Sequence, residues 1–122
     1  MRSKSFEGMA CSIATALEAI GDRWAMLVLR DLMLGLSRYD DLRKSTDITN
    51  ATLTDRLRQL EQTGLVERRL YQSGPDRYEY LLTPKGRDLS LVIQALAQVG
   101  DRWRLQQQAQ PLQRWEEMQA YW

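Results

Sequence analysis

The stretch from Thr49 to Gly64 constrains this chain more than any other. Leu53, Leu57 and Leu60 stand at i, i+4 and i+7, the apolar stripe of an amphipathic helix. Thr49 offers a hydroxyl to the unpaired N–H groups of a first turn, and Gly64 offers a residue free to take positive φ at the end. The spacing predicts a helix of about four turns with one buried face and a stop at each end. At about 100° per residue, the opposite face presents Ala51, Thr52, Asp55, Arg58, Gln59 and Gln62, with Asn50 and Thr54 on its flank. Small residues near the N-terminus and hydrogen-bonding groups along the face are what a helix needs to enter the DNA major groove. For an isolated helix, an ordinary solvated face is the simpler explanation.

The neighbouring segments change that balance. Tyr39 to Ser45 forms a short helix with Tyr39 and Leu42 on one side, and Thr46-Asp47-Ile48-Thr49 offers a tight turn with Ile48 pointing inward. Two helices joined in this way make a helix-turn-helix. Leu65 to Tyr71 and Tyr78 to Leu82 are rich in strand-forming residues, and Gln72-Ser73-Gly74-Pro75-Asp76-Arg77 between them is turn chemistry. A hairpin that follows the second helix of a helix-turn-helix is a wing. Leu36-Ser37-Arg38 adds a candidate short strand pairing with it.

Cys11-Ser12-Ile13, Gly21-Asp22-Arg23-Trp24, Arg30-Asp31-Leu32, Leu53 to Leu57, Gly64 to Arg68 and Arg77 to Gly86 carry a family likeness. In these residues, in order and in spacing, the chain from Cys11 to about Trp103 resembles the HxlR-type bacterial regulators. That family lies within the wider winged helix-turn-helix group related to MarR. The resemblance implies a cytoplasmic, homodimeric, DNA-binding transcriptional regulator. It departs at Ser12, where the family has the proline of Cys-Pro-Ile, and the tail after Trp103 shows no family pattern.

The flanking segments supply the rest of a core. Ile13, Leu17 and Ile20 repeat at helical spacing up to Gly21, and Trp24 to Leu34 is apolar almost all round, as suits a core or core-plus-interface helix. Thr83-Pro84 opens a further long helix, with threonine as cap and proline at the first position. Leu89, Val92, Leu96, Val99 and Trp103 follow at three-four-three-four spacing, a seam that suits a partner helix; a core stripe against the first helix is the alternative. After the break expected at Pro111, Leu112, Trp115, Met118 and Trp122 would pack on the partner subunit. The expected fold is therefore mainly α with a small β-hairpin wing, a winged helix-turn-helix whose N- and C-terminal helices form a dimer interface. One domain spans residues 1–122, with the helix-turn-helix and wing at 38–83 and the core and dimerisation helices at 9–34 and 84–122.

Composition removes most other functions. There is no histidine, so neither a Ser-His-Asp arrangement nor histidine metal ligation exists. No phosphate-binding glycine loop occurs, and Asp40-Asp41 and Glu116-Glu117 are helix neighbours that do not converge on one substrate. No enzyme, metal or cofactor is expected. A single cysteine fits a reducing compartment. The absence of a membrane-length apolar run, or of a signal core at Met1 to Phe6, fits the cytoplasm. The net charge is only +1, so any DNA affinity must come from where charge is placed. Only Lys4, Lys44 and Lys85 are lysines; arginine suits phosphates and guanine edges, though a GC-rich genome gives the same bias.

Two functions stay open: a sequence-specific DNA-binding regulator, and a winged-helix module that holds protein partners and binds little or no DNA. The near-neutral charge favours the second; the groove-compatible helix, the wing and the resemblance favour the first. The first predicts as partners a double-stranded DNA operator, a second copy of the chain, and a small-molecule or electrophile inducer. Its expected DNA contacts are Thr49, Asn50, Ala51, Thr52, Thr54, Asp55 and Arg58 in the major groove. Arg58 is the foremost reader, with Asp55 orienting it or accepting from a cytosine. Arg77 is expected at the minor groove or a phosphate, with Arg38 and Lys44 along the backbone; its alternative is an ion pair with Glu79 or Asp76. The expected dimer interface holds Ile13, Leu17, Leu89, Val92, Leu96, Val99 and Trp103. Cys11 opens the first helix, where the dipole favours a thiolate. Its place matches the family's N-terminal cysteine, which implies a sensor of oxidants or electrophiles such as quinones; a small buried apolar residue is the alternative.

Overall fold

In the computed structural model, which describes residues 11–108, the glycines and caps marked in the sequence close the elements. The order is α1 (Ser12–Ile20), α2 (Arg23–Met33), α3 (Tyr39–Thr46), α4 (Asn50–Gln62), β1 (Val66–Gln72), β2 (Arg77–Leu82), α5 (Pro84–Arg87) and α6 (Ser90–Gln108). The aromatic tail expected from Leu112 onward lies outside the described residues. Among those that are described, no helix is long and apolar enough to cross a membrane.

The core is built around α2. Ala25, Val28, Leu29, Leu32 and Met33 are buried on it, and Leu42 of α3, Ile48 of the turn, and Leu53, Leu57 and Leu60 of α4 close against them. Each such leucine contributes about 1.5–3 kcal/mol by leaving water. Ile48 is the inward plug of the turn, and Asp47 at φ 56° takes the left-handed step that lets α3 end and α4 begin. Thr49 caps α4, its hydroxyl accepting from the Thr52 N–H at 3.3 Å. Gly64 follows the helix at φ 79°, a conformation in which a Cβ is strained.

The hairpin is a two-stranded antiparallel sheet with Val66 opposite Leu82 and Arg69 opposite Glu79. The short strand expected at Leu36-Ser37-Arg38 is present as one bridge, Arg38 to Glu79, with the Tyr80 N–H donating to the Ser37 carbonyl at 2.7 Å. At its base the hairpin is tied to the end of α4. The Thr83 hydroxyl donates to the Gly64 carbonyl, the Thr83 N–H to the Leu65 carbonyl, and the Lys85 ammonium to the Thr63 carbonyl. Gly86 is required here: a Cβ on it would stand 2.0 Å from the Leu65 carbonyl oxygen.

One helix expected as continuous is divided. Thr83 caps α5 as predicted, its hydroxyl accepting from the Gly86 N–H, but α5 ends at Arg87. Tight i to i−3 bonds from Asp88 to Lys85 and from Leu89 to Gly86 turn the chain before α6 begins at Ser90. This turn corrects the interface prediction for Leu89. It is 8% exposed and belongs to the core with Ile93, whereas Val92, Leu96, Val99 and Trp103 are exposed on α6.

Candidate nucleic-acid interface

The inward leucines fix the rotation of α4, so its outward face follows. Asn50, Ala51, Thr54, Arg58 and Gln62 are exposed, and Thr52, Asp55 and Gln59 are half-buried. The Thr49 and Thr52 hydroxyls bond each other at 2.9 Å at the start of the helix. Arg58 stands on the exposed line and enters none of the ion pairs among the described residues.

The predicted role of Asp55 as the partner of Arg58 is overturned. Its carboxylate is held by the Arg56 guanidinium and accepts from the Gln59 amide at 3.3 Å, on the side of α4 that turns to the start of α2. There Arg56 meets Asp22, with its Nε donating at 2.9 Å and its Nη2 lying 2.7 Å from the same oxygen. Asp22 also caps α2, accepting from the Ala25 N–H at 3.0 Å. Burial pushes the Asp22 carboxyl up, but the Arg56 hydrogen bond, the Ala25 N–H and the guanidinium charge together hold it below its ordinary value. The same bond raises Arg56 above its own ordinary value. Sequence reasoning missed this pair because 34 residues separate its members. The one available signal was Asp22 standing after Gly21 at a helix start, and that signal reads as a cap alone.

Tyr39 was missed as well. Its hydroxyl crosses from α3 to α4 and lies 3.1 Å from both the main-chain and side-chain oxygens of Asn50, and 3.2 Å from the Thr54 hydroxyl.

Beside this junction, a cleft of about 410 Å³ opens between α3 and the hairpin, lined by Arg38, Tyr39, Lys44, Tyr71, Arg77 and Tyr78, with Asp40 and Asp41. The fold thus brings together the three cations expected on the backbone side. Arg38 stacks over the Tyr71 ring at 4.2 Å from its centroid, an arrangement that fixes the guanidinium plane. Arg77 is exposed at the wing end, and its expected alternative partner Glu79 is taken by Arg69 at 3.2 Å. Tyr39 lines the cleft and touches α4, so the cleft and the first turns of α4 adjoin.

A helix-turn-helix with an exposed second helix and a hairpin beside it is the arrangement of a winged helix-turn-helix. Residues 19–108 match the family described as HxlR-like helix-turn-helix. The chain belongs to that family. It is 41% identical over 110 residues to an uncharacterized HTH-type transcriptional regulator of Mycobacterium tuberculosis, covering 90% of this chain and 68% of that one. The redox regulator HypR in its oxidized form superposes with a TM-score of 0.69 at 31% identity, over 75% of this chain and 96% of that one. Diamide-treated YodB of B. subtilis does so at 0.62 and 32%, over 77% and 95%. The protein is a transcriptional regulator of the helix-turn-helix type.

Helices α1 and α6 expose Ile13 (71%), Leu17 (46%), Leu96 (56%) and Trp103 (64%), along with Val92, Val99 and Leu91. Cys11, at the N-cap of α1, is exposed rather than a small buried apolar residue, and its side chain makes no capping hydrogen bond.

Proposed function

We propose that this HxlR-family regulator is a homodimer that binds a double-stranded operator in a sequence-specific way, placing α4 in the major groove and the Arg77 wing on the flanking backbone or minor groove. The observation that carries this reading is the adjacency of two surfaces: the exposed line Asn50, Ala51, Thr54, Arg58 of α4, and the cleft in which Arg38, Lys44 and Arg77 meet. The first suits base edges, and the second suits phosphates. The three cations, not the net charge of +1, carry this reading, with Asp40 and Asp41 on the same cleft. The exposed apolar faces of α1 and α6 support the two-fold dimer, since apolar patches of this kind mark protein interfaces. Two recognition helices so joined read half-sites about 10 bp apart. A footprint on the intergenic DNA next to the protein's own gene tests the reading. Two protected half-sites of that spacing are expected, and an unprotected region at protein concentrations that saturate a specific operator would overturn it in favour of a protein-interaction module.

The same reading extends to thiol control through Cys11. It is supported by the exposure of the thiol at the start of α1 and by the likeness to HypR, named a redox regulator, and to YodB treated with diamide. Diamide or a quinone is expected to change operator affinity of the parent and leave Cys11→Ser unaffected. Unaltered binding by the parent would make Cys11 structural.

A further inference from the structure

The hydroxyl of Tyr39 has one proton to give and three oxygens of α4 within reach. The Thr54 hydroxyl can donate to the Tyr39 oxygen, an arrangement that leaves the Tyr39 proton for the paired oxygens of Asn50. With Oδ1 turned to Tyr39, the planar amide presents its two N–H donors on its opposite side. Asn50 is exposed in the first turn of α4, the part of such a helix that approaches base edges.

We propose that Tyr39 is a positioning residue that holds the Asn50 amide with its oxygen toward α3 and its N–H donors outward, and so directs it to a base presenting acceptors, guanine in preference to adenine. Guanine shows O6 and N7 in the major groove, whereas adenine sets the N6 donor beside N7. A freely rotating asparagine answers adenine with both its oxygen and its nitrogen; one whose oxygen is turned to Tyr39 leads with its nitrogen. The inference rests on the DNA-reading function proposed above. It adds a specificity determinant on α3, an element that does not itself enter the groove.

The test is selection of binding sites from randomised duplexes by the full chain. It is run on the parent, Tyr39→Phe, Asn50→Ala and the double variant, with folding of each followed by thermal melting. The parent is expected to favour guanine at one position of each half-site. Asn50→Ala should erase that preference, Tyr39→Phe should reduce guanine over adenine about tenfold at that position alone, and the double variant should match Asn50→Ala. Thr54→Val, which removes the donor to the Tyr39 oxygen, should lower the same preference and serves if Tyr39→Phe does not fold. An unchanged guanine preference in these variants, a uniform weakening at all positions, or adenine or cytosine at the Asn50-dependent position in the parent would overturn the inference while leaving DNA reading intact. A parent that selects no site would overturn the DNA-reading function itself, and the inference with it.

Discussion

Helices α4 and α6 carry the same kind of sequence signal and end in opposite environments. Both repeat apolar residues at three- and four-residue intervals, yet Leu57 on α4 is 2% exposed and Leu96 on α6 is 56% exposed. The stripe of α4 is met within the chain by α2 and α3, whereas the outer stripe of α6 meets solvent in the single chain. Periodicity therefore announces that a helix has an apolar face; whether that face is covered depends on how many neighbours the chain supplies. In α4 the single chain is sufficient. In α6 the proposed second copy is what would complete it.

The strongest way to break this contrast is to charge the uncovered stripe. Leu96→Asp is expected to split the proposed dimer and abolish operator binding, seen by sedimentation and gel shift, while changing the stability of the lone chain by no more than about 0.5 kcal/mol. The matching cut on the covered stripe has the reverse signature. Leu57→Ala should cost about 2–5 kcal/mol in denaturant unfolding through the cavity it leaves. If Leu96→Asp remained a dimer, α6 would not be the interface.

A finer cut separates the two sides of α4. On the inner side, Asp22→Asn should cost about 2 kcal/mol, as expected for a hydrogen bond to a charged group. The sign of its pH dependence follows from the lowered carboxyl of Asp22. The parent keeps this stabilisation above the unfolded value of about 4 and loses it as pH falls through the lower folded value. Acid melts of Asp22→Asn should therefore converge on those of the parent. On the outer side, Arg58→Ala should leave melting unchanged and cost about 1–3 kcal/mol of operator binding if the contact is bidentate. Arg77→Ala gives the smallest change: affinity falls alike for all sequences, and the salt dependence flattens by about one unit of slope. The parent's slope retained in that variant would remove Arg77 from the phosphate contacts.

What was legible in the sequence shares one property: it is local. The Thr49 cap, the Leu53-Leu57-Leu60 stripe, the Gly64 stop, the wing turn and the Thr83-Pro84 start each lie within one element, where propensity and capping act. The misreadings lie between elements. Asp55 is expected to orient Arg58 or accept from a cytosine, but Arg56, fixed from the far side by Asp22, holds its carboxylate. Leu89 was counted into a heptad that the turn at Asp88 interrupts. Tyr39 was placed correctly on its helix, but the destination of its hydroxyl, 11 residues downstream, has no signature in the residues around it.

The clamp at the base of the hairpin bears on how such a protein could respond to a signal. Thr83, Lys85 and the close approach of Gly86 to Leu65 weld the end of α4 to the root of the wing. Asp22 and Arg56 fasten the other flank of α4 to α2. These contacts tie helix, wing and α2 to one another, so on the proposed operator they would move together. In the proposed dimer the adjustable quantity would be the distance and angle between the two copies, set where α1 and α6 would meet their counterparts. A modification at Cys11 would act as a change of gauge between two fixed reading heads.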